Sequence, residues 1–173
     1  DADRVGIAVK TNQGFKLLNG NQIAALLIDF LISKLDRKNT PKPVIIKTVV
    51  SSDLCDEMAR KNNILLLSVL TGFKYIGEKM NLFENAIKTG NNNYNYNYLF
   101  GFEESYGYLV GGHARDKDAV VASMLLCEVA AEAKANGKTL VDKLNDIYKE
   151  YGYYLDAQDT VVLKGKDGLE KMA

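Results

Sequence analysis

The chain has 173 residues, 47% of them hydrophobic and 25% charged, and 22 Lys and Arg balance 22 Asp and Glu. A chain of this size and composition folds as one compact domain with at most a fragment of a second, and its core needs neither disulfides nor a structural metal. Zero net charge argues against a general nucleic-acid or anionic-membrane binder, which relies on excess Lys and Arg for counterion release, so neither partner is expected.

Asp1-Ala2-Asp3-Arg4 runs without a methionine into the apolar Val5–Val9, so the sequence reads as a piece of a longer protein. Val5–Val9 and Phe15–Leu18 predict two strands joined through the polar turn Thr11-Asn12-Gln13-Gly14, with Gly14 supplying positive φ. Asn19-Gly20-Asn21 predicts the cap of a helix in which Ile23, Leu26, Leu27, Phe30, Leu31 and Leu35 recur every three or four residues, up to Asn39–Pro43. Val44–Val50 is a β-branched run without alternation, the pattern of a central strand covered on both faces. Ser51-Ser52-Asp53 can cap a helix over Leu54–Lys61, and Ile64–Leu70 predicts a second buried strand reached by a right-handed crossover.

Thr71-Gly72 leads into a helix carrying Tyr75, Ile76, Met80, Phe83 and Ile87 and ending near Thr89-Gly90. The Asn- and Tyr-rich tract Asn91–Tyr98 reads as a solvated loop without function, and Tyr98–Phe102 as a third strand. Helices over Ala119–Asn136, closed by Gly137, and over Leu140–Tyr151 follow, and Gly165–Ala173 begins a further helical pattern. The fold class is α/β: a three-layer α/β/α unit with a mixed sheet of about four strands, preceded by a β-hairpin. Cys55 and Cys127 match no zinc spacing and His113 is the single histidine, which reads as two reduced, mostly buried thiols in a cytoplasmic protein. The longest apolar run, Ile23–Ile32, contains Asp29 and is too short to span a bilayer.

A ligand of such a sheet sits beyond the strands' carboxyl ends, so the loops at Ser51-Ser52, Thr71-Gly72 and after Phe102 are the ones to inspect. Asp1 and Asp3 are either solvated terminal carboxylates or part of a loop for a hard cation, with Arg4 beside them able to fork onto a phosphate. Thr71-Gly72-Phe73-Lys74 is either a plain helix cap or an anion contact at a helix N-terminus. Glu103-Glu104-Ser105-Tyr106 lies between Gly101 and Gly107 and is either an exposed acidic turn or a ligand loop, in which a carboxylate and a hydroxyl two apart on an extended segment face the same side and can grip sugar hydroxyls. His113-Ala114-Arg115-Asp116-Lys117-Asp118 is either a solvated helical N-terminus capped by Asp116 or Asp118, or a basic segment toward a ligand.

In this order, Asp-x-Asp-Arg, Thr-Gly-Phe-Lys, Phe-Glu-Glu-Ser-Tyr-Gly and His-x-Arg-x-Lys-Asp resemble the α-D-phosphohexomutase family, the phosphoglucomutases and phosphomannomutases. The resemblance covers essentially the whole chain. It implies an enzyme of four domains around one cleft, of which residues 1–18 are the end of the metal-binding second domain, 19–160 the sugar-recognition third domain, and 161–173 the start of a linker to the fourth. By resemblance, Asp1 and Asp3 match the last two carboxylates of a magnesium loop whose first is absent, so the Mg²⁺ site is incomplete here. Arg4, His113 and Lys117 are carried over as catalytic. Thr71, Gly72, Lys74, Glu103, Ser105 and Arg115 are carried over as substrate-binding, with Glu103 and Ser105 on the hydroxyls at positions 3 and 4 of the hexose.

The implied reaction of the intact enzyme is phosphoryl transfer between a phosphoserine and a hexose phosphate, by way of a hexose 1,6-bisphosphate. No phosphoserine loop and no phosphate clamp of the family's kind occur in this sequence, so the chain alone is expected to be inactive and to work with the other domains of its protein. A free-standing sugar-phosphate-binding module, using the same Glu103/Ser105 loop and the segment from His113 to Lys117 without catalysis, is the alternative from another class.

Overall fold

The computed structural model describes residues 1–157, 162 and 171. The chain opens with an antiparallel hairpin, β1 (Ile7–Thr11) and β2 (Gly14–Leu18), with Gly14 at φ 111° at the turn. Helix α1 (Gly20–Ser33) follows, capped by Asn19, whose side chain accepts from Gln22 N–H while the Gln22 side chain accepts from Asn19 N–H. This reciprocal pair satisfies two of the donors that a helix start leaves free. The helix stops at Ser33 rather than Leu35, and Leu35 packs on the core from the loop.

Strand β3 (Pro43–Thr48), helix α2 (Leu54–Lys61), strand β4 (Leu65–Val69) and helix α3 (Phe73–Thr89) form the expected alternation. Gly90, at φ 69°, ends α3 in the left-handed conformation that glycine adopts without a Cβ clash. Then come β5 (Asn97–Glu103), β6 (Gly107–Val110), α4 (Ala119–Ala135) and α5 (Leu140–Tyr151). The sheet order is β4-β3-β5-β6, with β3 parallel to β4 and β5, and β6 antiparallel to β5.

Period-two alternation divides this sheet between two cores. Ile45, Phe100, Phe102 and Tyr108 face α1, α2 and α4, with α5 stacked on the helices behind them. Val44, Ile46 and Leu109 face Phe73, Ile76, Met80 and Phe83, all buried on α3. The result is the expected α/β/α sandwich with a mixed four-stranded sheet, α1, α2 and α4 lying on one face and α3 on the other. Among the described residues no helix is long and apolar enough to cross a membrane.

Four local expectations are corrected. β3 is buried throughout, but β4 is an edge strand: its outer side has no strand neighbour among the described residues, and Leu65–Leu67 are half-buried and Ser68 exposed. Val49 and Val50, expected as strand, lie exposed in the loop after β3. Strand β6 falls where the sequence shows no strand signal, because four residues between Gly107 and Gly111 are too few to show an alternation. Asp53 makes no side-chain cap on α2; Ser52 Oγ accepts from Leu54 N–H instead. The expected linker 161–173 and the helical pattern from Gly165 lie outside the described residues apart from 162 and 171.

The N-terminal segment is laced across the sheet's end. Val5 N–H donates to Tyr106 C=O at 3.2 Å, Arg4 pairs with Gly107, and Ala119 N–H donates to Ala2 C=O at 3.0 Å. Val9 and Leu18 anchor the hairpin in the main core.

The cysteines also divide. Cys55 on α2 is buried, and burial pushes its thiol well above the ordinary range; Cys127 on α4 is exposed, which corrects the expectation that both thiols are mostly buried. A disulfide-exchange reagent such as Ellman's reagent is therefore expected to modify Cys127 in the folded protein and Cys55 only after unfolding, because the thiolate is the nucleophile and needs access. One fast thiol natively and two in denaturant is the expected stoichiometry; two fast thiols in native buffer would contradict the buried position of Cys55.

Candidate functional site

Because β3, β4 and β5 are parallel, their carboxyl ends share one edge, and the loops leaving them meet there. The loop after β3 holds Ser51 and Ser52, both buried. The loop after β4 holds Thr71 and Gly72. Beyond β5 the chain makes a tight turn at 104–106 into β6, with Tyr106 at φ 70°.

Glu103 and Glu104 tie this end of β5 to the two strands beyond it, Glu103 to the loop after β4 and Glu104 to the last residue of β3. Glu103, 5% exposed, accepts from Gly72 N–H at 3.0 Å through Oε1. Glu104 Oε2 accepts from the Thr48 hydroxyl at 3.2 Å. The expectation of an extended segment with Glu103 and Ser105 on one side is thus corrected: Glu103 ends a strand, and Ser105 lies in the turn. Ser105, Glu104 and Tyr106 line an opening of about 470 Å³ with Arg4, Val5 and Gly6. Beside it, Thr71, Asn19, Asn21, Glu104 and Tyr106 line a second hollow of about 860 Å³.

Lys117 lies across Gly107: a Cβ added there would stand 2.3 Å from Lys117 Cδ and 3.4 Å from Glu103 Oε2. Its ammonium is 2.8 Å from Asp116 Oδ1 and 3.6 Å from Asp3 Oδ2, and 5.5 Å from the centre of the Phe73 ring. The hydrogen bond from Lys117 holds the Asp116 carboxyl below its usual range. Thus Asp3, Arg4, Thr71, Gly72, Glu103, Ser105 and Lys117 surround one edge of the sheet.

Three other sequence candidates are engaged differently. His113 Nε2 lies 2.8 Å from Asp118 Oδ2, while Asp118 Oδ1 caps α4 by accepting from Val120 and Val121 N–H. These contacts, that to His113 first, hold the Asp118 carboxyl low. The Arg115 guanidinium is taken up by Asn81 and Glu84 of α3 and by the carbonyls of Gly112 and Ala114, which clamps the 112–115 loop onto α3. Lys74 is exposed, its ammonium 4.9 Å from the Tyr75 ring centre. The Thr71–Lys74 segment does begin α3, but its cap residue is Gly72, without a side-chain bond.

Asp1 is exposed and Asp3 faces Lys117. Among the described residues no three His, Cys, Asp or Glu side chains lie close enough to share a metal ion. The two aspartates therefore do not by themselves fit a magnesium ion, which asks for about six oxygen ligands, some of them water.

Four participants escape a reading of the sequence. Asn21, which the sequence shows only as part of a cap, accepts from Ser52 N–H. Gly20 presses on the 104–106 turn: a Cβ there would fall 1.9 Å from Glu104 O. Thr48 holds Glu104, and Lys47 is buried beneath the loop after β3. Lys47 does leave a signal, as the one charge in an otherwise apolar strand run.

Residues 19–151 match the family description "Phosphoglucomutase/phosphomannomutase, alpha/beta/alpha domain III". Over 173 aligned residues the chain is 38% identical to the phosphoglucomutase of Staphylococcus aureus strain N315, the alignment covering 99% of this chain and 29% of that protein. The chain thus spans less than a third of the length of the curated relatives it matches. Among solved structures, a Thermus thermophilus protein named provisionally as a phosphomannomutase superposes with a TM-score of 0.65 at 24% identity, over 87% of this chain and 29% of that one. The phosphoglucomutase parafusin of Paramecium superposes with a TM-score of 0.59 at 22% identity, over 88% of this chain and 24% of that one. These structural likenesses concern the fold.

Proposed function

The chain belongs to the phosphoglucomutase/phosphomannomutase family, and on that premise we propose that it is the sugar-recognition part of a phosphohexomutase interconverting hexose 1-phosphates and 6-phosphates. The observation that carries the reading is the convergence at the sheet's carboxyl edge: the Glu103–Ser105 segment is bonded to the Thr71–Gly72 loop, Arg4 lines the opening beside Ser105, and Lys117 lies over Gly107 next to it.

In this reading the Glu103 carboxylate and the Ser105 hydroxyl bind vicinal hydroxyls of the hexose, a grip that serves either orientation of a hexose 1,6-bisphosphate. One Glu103 oxygen is already fixed by Gly72 N–H, so the carboxylate meets the sugar without losing rotamer freedom on binding. Arg4 and Lys117 present cationic donors where phosphoryl oxygens gather charge, the dominant task in phosphoryl transfer. Thr71, Gly72 and Lys74 line the approach, and His113 and Arg115 shape the basic segment that carries Lys117. The phosphoserine and the phosphate clamp belong to the rest of the protein, the chain alone has no mutase activity, and the reaction is assigned to the cytoplasm. No step is assigned to a magnesium ion, which would need oxygen ligands beyond Asp1 and Asp3.

The test is an NMR titration of this chain with glucose 1-phosphate and glucose 1,6-bisphosphate. Amide shifts are expected at 71–74, 103–105 and 113–117. Glu103→Ala is expected to weaken binding by about 1.5–3 kcal/mol, roughly 10- to 150-fold, as for loss of a charged hydrogen bond. Glu103→Gln retains an acceptor for Gly72 and should keep the native shifts of that loop while losing affinity. Shifts elsewhere, affinity unchanged in Glu103→Ala, or turnover of glucose 1-phosphate by the chain alone would overturn the reading.

A further inference from the structure

We infer that Lys47 is a positioning residue for the recognition turn: its buried ammonium fixes the loop after β3 in the shape from which Thr48 holds Glu104. The inference rests on the reading of the 104–106 turn as the sugar-recognition turn.

Lys47 stands near the end of β3, paired with Ser68 and Phe102 on the flanking strands, and its side chain is 2% exposed. Its ammonium lies within a shell of four oxygens: Ser51 O at 3.0 Å, Ser52 O at 3.2 Å, Asp53 Oδ1 at 3.0 Å and Asp56 Oδ2 at 2.5 Å. Asp56 Oδ2 is buried and has no other partner among the described residues. Burial alone would lower the Lys47 pKa, but Asp56 and Asp53 hold it above its ordinary value, so the group is a cation at neutral pH.

The loop that this cation gathers is where chain direction reverses from β3 into α2. Two of its carbonyls point inward at one point, an arrangement that repels unless a positive charge occupies the centre. Lys47 is thus a tethered counterpart of a bound monovalent cation. Asn21 Oδ1 holds the same loop from α1 by accepting from Ser52 N–H at 3.1 Å.

From this loop the contact passes to the turn in two steps. Ser51 Oγ and Thr48 Oγ1 are 2.8 Å apart, and Thr48 Oγ1 donates to Glu104 Oε2. Ser51 therefore accepts no proton from Thr48 while Thr48 serves Glu104; it donates to Thr48, and Thr48 donates onward. The direction of this relay is set by the carboxylate at its end, and its geometry by where Lys47 holds the Ser51 backbone. Replacing a buried ion pair by apolar groups often costs little net stability, so the role assigned to Lys47 is one of geometry and not of stability.

The experiment reads Glu104 in the ligand-free protein, so it does not depend on whether sugar phosphates bind. In Lys47→Met and in Thr48→Val, the amide and side-chain carboxyl resonances of Glu104 are expected to move, and the double variant to move them no further than the larger single change. Asp53→Asn, at a side chain 83% exposed, keeps the fold in case Lys47→Met does not, and is expected to shift Ser51, Ser52, Thr48 and Glu104 resonances in that order of decreasing size. Glu104 resonances at native positions in a folded Lys47→Met protein, or strictly additive shifts, would overturn the inference. So would shifts in Asp53→Asn that stop at Ser52. Failure of glucose 1-phosphate to bind, with these couplings present, would count against the functional reading alone.

Discussion

Gly20→Ala is expected to destabilise the protein by about 2 kcal/mol, although alanine is the better helix former by roughly 0.8–1 kcal/mol. Gly20 is the first residue of α1 and needs no unusual backbone angle. What it needs is space: an added Cβ would fall 1.9 Å from Glu104 O, 2.7 Å from Glu104 C and 3.0 Å from Tyr106 N. All three are backbone atoms of the 104–106 turn, so no side-chain rotamer relieves the clash. Overpacking costs about 1–3 kcal/mol, and contact with a rigid backbone belongs at the upper end, which outweighs the gain in propensity. Denaturant unfolding measures the loss, and amide shifts at Glu104 and Tyr106 locate it. Gly6→Ala is the control, because its nearest atoms would be the Tyr106 ring at 3.8 Å, and it should be near neutral. Equal stability of Gly20→Ala and the parent would mean that the turn does not rest on α1.

Phe100→Ala should cost more, about 3–5 kcal/mol, the usual range for removing a buried aromatic ring. Phe100 is fully buried at the middle of β5, with its ring centre 5.5 Å from that of Phe102 and 6.3 Å from that of Tyr108, all near parallel. These rings cover the sheet beneath α1 and α4, and Tyr108 uses its hydroxyl to donate to Gly20 O at 3.0 Å. At about 2–4 °C per kcal/mol for a domain of this size, Tm should fall by on the order of 10 °C. A fall of only a degree or two in a calorimetric scan would mean that the neighbours close over the cavity. The same substitution removes no ligand contact, so a folded remnant should keep its titration shifts at 71–74.

Much of this fold is legible because its signals are local. The β-branched run Val44–Val50, the stop near Thr89-Gly90 and a cap at Asp116 or Asp118 each depend on a few adjacent residues; the strand is found there, though it ends at Thr48, and Gly90 and Asp118 take the stop and the cap. The edge position of β4 is not legible, because Leu65–Leu67 look the same in sequence whether one strand or two lie beside them. The 104–106 turn is legible as a segment but not in shape. A pattern of alternate residues cannot report that the strand ends at Glu103, nor that Gly72 stands ready to bond it. Arg115 shows the same limit from the other side. Its place in a basic run says nothing of Asn81 and Glu84, which approach it from α3 because Gly77 of that helix lacks a Cβ; one there would meet Arg115 O at 2.7 Å.

The lacing of residues 2–5 over the turn has a bearing on the order in which the protein assembles. Val5 meets Tyr106, and Ala2 meets Ala119, across most of the described chain. Joining segments so distant in sequence closes a long loop, whose entropy must be met before the contacts return anything. The β3–β4 crossover and α3 close far shorter loops and can stand while that seam is still open. The seam over the 104–106 turn is therefore a late-forming part of the molecule, whereas the turn itself, the tight link between β5 and β6, closes locally and can stand before the N-terminal segment is laid across it.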